Sequence, residues 1–305
     1  MRVLITGGAG FIGSHLVDFY LREGAEVVVV DNLITGSREN LSDHKRLTLV
    51  EEDVSGKLSV TGPFDLIFHL ASPASPKDYL RLPIETLRTG SVGTINTLEL
   101  ARSCRARYIL ASTSEVYGDP QVHPQEESYF GNVNPVGPRS VYDEAKRFAE
   151  AVTFAYQRKY GLKTTIIRIF NTYGPRMKKE DGRAIPTFFA QALRNEPITV
   201  FGDGNQTRSF CYIDDLIRGM VGLTRIDHPG PINLGNPDEY RIIELATMIK
   251  EITNSASPIT FAPPLEDDPR RRCPDISLVR SLIGWQPEIP LKEGLRRYYE
   301  WIRDI

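Results

Sequence analysis

Arg2-Val3-Leu4-Ile5-Thr6-Gly7-Gly8-Ala9-Gly10-Phe11-Ile12-Gly13 opens the chain, and the fold is decided there. Arg2–Thr6 has the unbroken apolar character of a strand buried on both faces. A helical pattern from Ser14 to Glu23 follows, with Gly24 as its stop, and then a second strand, Glu26–Val30, ends at Asp31. Strand, glycine loop, helix, strand and terminal acid together form a dinucleotide-binding unit. In it Gly7 permits the tight turn, Gly10 lets backbone approach a pyrophosphate, and Gly13 lets the helix pack on the sheet. The helix N-terminus then turns free N–H groups and its positive dipole toward the phosphates. The spacing is GxxGxxG where the commoner pattern is GxGxxG. Asp31 should accept from the adenosine ribose hydroxyls, which favours NAD over NADP because a 2′-phosphate would meet a carboxylate. Arg38 is the residue that could offset that repulsion, and a strand-end turn role is the alternative for Asp31.

Outward from this unit the alternation continues. Leu47–Glu51 reads as a third strand, followed by Asp53-Val54 at the adenine edge. Leu66–Leu70 reads as a fourth, running into Ala71-Ser72-Pro73-Ala74-Ser75-Pro76, where small residues leave room beside a cofactor. Thr94–Arg102 continues a helix, and Tyr108–Ala111 and Thr164–Phe170 are further strands. The pattern predicts an α/β fold: a doubly wound parallel sheet with ligands at the carboxyl ends of its strands. After Asn171 the elements shorten and prolines and arginines multiply, so a smaller, discontinuous C-terminal lobe is expected. The expected division is 1–171 for the dinucleotide lobe, rejoined by about 208–236, with 172–207 and 237–305 forming the other lobe. His69 lies among apolar residues and reads as packed, and the remaining histidines form no metal-ligand constellation, so no metal is expected.

With 41% hydrophobic and 25% charged residues, the 305-residue chain can bury a large core. A net charge of −2 provides no field for nucleic acid or an anionic membrane. Three scattered cysteines argue against a disulfide framework and fit a reducing cytoplasm. The strand at the N-terminus leaves no room for a signal peptide, and no apolar run approaches a membrane span.

Chemistry concentrates between Ser112 and Lys146. Ser112-Thr113-Ser114-Glu115 falls at a strand's carboxyl end, and Tyr142 and Lys146 stand one turn apart on one helix face. An ammonium near a phenol favours the phenolate and lowers its pKa from about 10, giving a base for a sugar alcohol near neutral pH. Arg176, Arg183, Arg208 and Arg272 lie in different turn-rich segments, as residues gathered around an anionic ligand would. Pro269–Asp275 also reads as a solvated basic turn, and both readings stay open.

These segments, taken together, resemble the extended short-chain dehydrogenase/reductase superfamily of nucleotide-sugar epimerases and dehydratases over nearly the whole chain. Within it the narrower likeness is to the UDP-glucuronate decarboxylases. It is carried by His69–Pro76, Thr113–Pro120, Gly131–Pro135, Arg168–Met177, and Arg272 before Pro274-Asp275. Cys273 departs from the pattern, which usually has a basic residue there. The resemblance implies that Tyr142 deprotonates the sugar 4-hydroxyl while NAD+ takes the C4 hydride. It also implies that Lys146 holds the nicotinamide ribose and Thr113 bonds near the 4-oxygen. Ser114, Glu115 and Arg272 are assigned to the sugar carboxylate. Asn171, Arg176, Arg183, Arg208 and Tyr212 are assigned to the substrate. The implied cofactor contacts are Gly7, Gly10, Phe11, Ile12, Gly13, Asp31, Asn32, Thr35, Gly36, Asp53, Val54, Leu70, Ala71, Ser72, Thr89 and Ala111, with Tyr142 and Lys146. A UDP-sugar 4-epimerase is the alternative, whereas Ser114 stands where a 4,6-dehydratase usually carries Asp. Family likeness further implies a homodimer through helices near Ser91–Arg102 and Tyr142–Tyr160.

Overall fold

Valine, leucine and isoleucine run without polar interruption through β1 (Arg2–Thr6) and β2 (Glu26–Asp31), so both faces of these strands need cover. The computed structural model, which describes residues 1–304, supplies it with helices on each side. Side chains alternate between the two layers as the strand period requires. Val3, Ile5, Val27 and Val29 join one core with Leu16 and Val17, while Leu4, Val28 and Val30 join the other with Leu98, Ala101 and Ala149.

The central sheet has seven strands. Besides β1 and β2 it contains β3 (Leu47–Glu51), β4 (Leu66–His69), β5 (Arg107–Thr113), β6 (Thr164–Ile169) and the short strand Ile232–Leu234. All neighbours run parallel. The order is Ile232–Leu234, β6, β5, β4, β1, β2, β3. The chain winds from β1 to β3 in one direction and from β4 to β6 in the other. The switch therefore lies between β1 and β4, where the glycine loop and the Leu70–Pro76 loop face each other. This is the doubly wound Rossmann arrangement that the alternation predicted.

Helix α1 (Phe11–Arg22) starts earlier than Ser14, because Gly10 caps it in extended conformation and leaves the first-turn amides free of any side-chain cap. Gly24 ends the turn beyond it at φ +80°. Further along lie α2 (Pro76–Arg81), α3 (Pro83–Arg88), a π turn (Thr89–Gly93), α4 (Thr94–Cys104) and α5 (Ser140–Tyr160). Gly90 in the π turn presses on α5, where an added Cβ would come within 2.6 Å of Ala145 Cβ, so only glycine allows this helix contact. His69 is a packed residue, as expected. Its ring bonds the hydroxyls of Thr6 (2.7 Å) and Thr94 (3.2 Å), and burial pushes its pKa down to about 3.

In the second half, three segments far apart in sequence form one small sheet. Thr207–Ser209 pairs antiparallel with Glu239–Arg241 and parallel with Arg271–Arg272. This register puts Arg208 directly opposite Arg272.

Candidate active site

The segments that follow β1, β2, β3, β4, β5 and β6 meet at one crevice of about 810 Å³. The glycine loop and Asp31 line one part, the Leu70–Pro76 loop and the end of β5 line its middle, and Arg183, Arg208 and Arg272 line the other part. At the first end the backbone has the shape a dinucleotide requires. Gly7 has φ +69°, and a Cβ on Gly13 would stand 2.2 Å from the Gly7 carbonyl oxygen, so the turn closes only with glycine at both positions. Asp31 accepts the amides of Ala9 and Leu33, both at 2.9 Å. Burial raises its carboxyl pKa, and those two amides oppose the rise. Glu39 lines the crevice beside it. The free first-turn amides of α1, the bare glycine turn and the anchored carboxylate fit a dinucleotide with an unphosphorylated ribose.

At the centre, Lys146 Nζ donates to the Ala111 carbonyl at 2.9 Å and sits 5.8 Å from the centroid of the Tyr142 ring. Tyr142 is buried, and the ring of Tyr79 from α2 stacks on it, centroids 5.3 Å apart and planes 7° from parallel. The Tyr79 hydroxyl is buried without a partner. The expectation that Lys146 lowers the phenol pKa needs correction. Burial pushes the Tyr142 phenol up, and the groups that oppose this are the Thr113 hydroxyl and, more weakly, Arg183. Lys146 itself is pulled down to about 8 by burial, against the pull of Glu150. Desolvation outweighs a charge 5.8 Å from the ring.

Beyond Thr113 a 3-10 turn, Ser114–Tyr117, swings Glu115 inward, with Thr113 Oγ1 accepting the Glu115 amide at 3.2 Å. The Glu115 carboxylate accepts from two nitrogens of Arg272, one of them at 2.9 Å, and from Arg139 at 2.6 Å. Burial works to raise its pKa, but the two guanidiniums win and hold it well below the usual carboxylate range. Arg208 pairs with Asp268 at 2.8 Å, and Arg139 reaches the same carboxylate at 3.7 Å. Arg183 lies on Asp181.

Of the substrate candidates, Tyr212 does not line the crevice. It packs edge-on against Tyr173 under the helix Leu291–Ile302, where a Cβ on Gly294 would lie 2.9 Å from its ring. Arg176 lines the crevice but pairs with Asp18 of α1 at 2.6 Å, which puts it at the glycine-loop end, away from the Arg208 and Arg272 pair. Three participants escaped the sequence reading. Arg139 stands one turn before Tyr142 and was legible from that spacing. Tyr79 and Asp268 carry no local signal. Asp143, directly after Tyr142, is buried with Oδ1 unpartnered, and burial together with Glu115 raises its pKa to about 7. Among the described residues no group of His, Cys, Asp and Glu could hold a metal ion.

Comparison with known proteins agrees with this geometry. A UDP-glucuronic acid decarboxylase 1 of Xenopus tropicalis is 49% identical over 99% of this chain and 72% of its own. A UDP-glucuronic acid decarboxylase 3 of Arabidopsis thaliana is 52% identical over 97% of this chain and 87% of its own. The UDP-glucose 4-epimerase of Thermotoga maritima, solved with UDP-glucose, superposes with a TM-score of 0.93 at 31% identity, covering 100% of this chain and 99% of that one. A family description, the NAD dependent epimerase/dehydratase family, matches residues 3–235, and the chain belongs to that family.

Proposed function

We propose that this protein decarboxylates UDP-glucuronate to UDP-xylose, with NAD+ regenerated in each turnover. The observation that carries the reading is the Arg272–Glu115–Arg139 cluster two residues from Thr113, in the same crevice as Tyr142 and Lys146. The glycine loop, Asp31 and Lys146 would hold NAD+, which when bound accepts the C4 hydrogen as hydride and later returns it. Tyr142 would take the proton of the 4-hydroxyl as phenolate, a form that burial opposes and that the Thr113 hydroxyl and Arg183 favour. Lys146 has spent one N–H on Ala111 and keeps two more for a ribose. Oxidation at C4 places a ketone β to the C6 carboxylate. The C5–C6 bond can then break, CO2 leaves, and the electron pair passes into the C4–C5 enolate. A proton added to C5 completes the pentose, so the net change is one proton consumed for each CO2 released.

Arg272 lines the crevice and suits the uronate carboxylate, since a guanidinium binds a carboxylate in the bidentate fashion it already shows with Glu115. Glu115 is ionised at neutral pH, so it acts as an acceptor that orients a donor toward C5 and not as a free acid. Arg183 and Arg208 are left for the diphosphate. The chain reads as a dinucleotide lobe and a smaller lobe with this crevice between them; the pairing of Ile232–Leu234 with β6 supports the return of 208–236 to the first.

A homodimer is the assembly this reading favours. Ile84, Leu87, Val92, Phe148 and Tyr160 are exposed along α3, the π turn and α5, an apolar face that a second copy would cover. Free thiols at Cys104, Cys211 and Cys273 support a reducing compartment such as the cytoplasm. No helix among the described residues is long and apolar enough to cross a membrane.

The test is UDP-glucuronate with enzyme and NAD+, followed for CO2 and UDP-xylose. Formation of UDP-galacturonate without CO2 would replace this reading by 4-epimerisation. Tyr142→Phe should cut turnover by about 100-fold or more while UDP binding persists.

A further inference from the structure

Arg272 stands in a strand only two residues long, and the segment Cys273–Asp275 is clamped by one fully buried residue, Gln125. The Gln125 side chain accepts the Cys273 amide through Oε1 at 2.8 Å, and its Nε2 donates to the Val122 carbonyl at 2.9 Å. Its backbone amide donates to the Cys273 carbonyl, and its carbonyl accepts the Asp275 amide, both at 2.8 Å. Asn233, also fully buried, donates to the Gln125 carbonyl at 3.0 Å and to the Asp275 carbonyl at 3.1 Å.

From Asn233 the contacts run on to the redox end. Its Oδ1 accepts the Tyr117 hydroxyl at 2.8 Å, and that hydroxyl accepts from Arg168 at 2.9 Å. Arg168 grips Glu150 with two nitrogens at 2.9 and 2.8 Å, and Glu150 accepts the Ser112 hydroxyl at 2.6 Å. Ser112 immediately precedes Thr113, and Glu150 lies one turn beyond Lys146 on α5. Most of these groups are buried and none is exposed, so an unsatisfied member is costly and the geometry is over-determined.

We propose that Gln125 and Asn233 are positioning residues for Arg272. Their contacts hold its guanidinium in register with the strand and helix that carry Thr113, Tyr142 and Lys146. The proposal rests on Arg272 facing the uronate carboxylate.

The experiment compares Gln125→Met, which removes the acceptor for Cys273, with Gln125→Glu, which keeps it. Calorimetric affinities for UDP-glucuronate and for UDP are measured on the full chain, with CO2 release alongside. In Gln125→Met, UDP-glucuronate binding should weaken by about tenfold while UDP binding stays within about twofold, and CO2 release should fall. Gln125→Glu keeps the Cys273 acceptor, and its buried carboxyl, when protonated below neutral pH, restores a donor to Val122. Under those conditions it should recover the affinity for UDP-glucuronate relative to UDP. Equal weakening of both ligands, or of neither, overturns the proposal, because a residue serving only general stability cannot discriminate the carboxylate. Should Gln125→Met not fold, Asn233→Asp carries the same comparison, since it keeps the Tyr117 acceptor and loses the donor to Gln125 and Asp275. Wild-type protein that binds UDP-glucuronate but releases no CO2 would instead refute the decarboxylase reading.

Discussion

Replacing Lys146 with methionine should abolish turnover and make the protein more stable. Lys146 is buried, and desolvation holds its ammonium at about 8 where the unfolded chain has 10.5. At 1.36 kcal/mol per pH unit, that gap makes the charged lysine cost the folded state about 3 kcal/mol at neutral pH. Methionine has similar length and no charge, so it recovers that cost. It also strips the Ala111 carbonyl of its 2.9 Å donor, a loss of about 1 kcal/mol. The net gain is about 2 kcal/mol, a large share of a stability of about 5–15 kcal/mol.

The pH dependence has a definite sign. The folded form releases its proton first, so between pH 8 and 10.5 the unfolded chain binds more protons and wild-type stability climbs. The Lys146→Met variant lacks this climb. Urea denaturation of both proteins at pH 7 and pH 9.5, without added ligands, measures it. A variant less stable than wild type at pH 7, or one whose advantage persists undiminished at pH 9.5, would refute the argument that burial of this charge is a net cost.

Other consequences concern the same crevice. Gly13→Ala places a Cβ 2.2 Å from the Gly7 carbonyl oxygen, so it should strain the loop by about 1–3 kcal/mol and remove calorimetrically detectable NAD binding. Asp31→Asn leaves one acceptor oxygen for two anchoring amides; NAD should bind more weakly and the NAD-to-NADP affinity ratio should shrink, as parallel titrations would show. Asp143 is raised from 3.8 to about 7, so the folded form keeps a proton the unfolded chain gives up, and wild-type stability falls as pH rises through that window. In Asp143→Asn that fall should disappear from denaturation midpoints measured from pH 5 to 8; an unchanged slope would assign it to another group.

Much of the site was readable because its signals are local. A glycine turn, a helix close behind it and a tyrosine one turn from a lysine are dictated by backbone sterics and a period of about 3.6 residues. Arg139 obeyed the same period and could have been read from its place one turn before Tyr142. Tyr79 could not, because its stacking depends on how α2 is laid across α5. Tyr212 shows the converse: the likeness assigns it to the substrate, and the fold packs its ring against Tyr173.

The sequence by itself determined the doubly wound sheet and its dinucleotide end, since continuous apolar strands, the glycine loop and the terminal acid act over short separations. Tertiary structure alone decided the electrostatics. Glu115 meets Arg272 across 157 residues, and Arg208 faces Arg272 only through strand register. It also reversed the expected shift at Tyr142, because a pKa follows the water excluded around a group, and exclusion exists only once distant elements have closed over it.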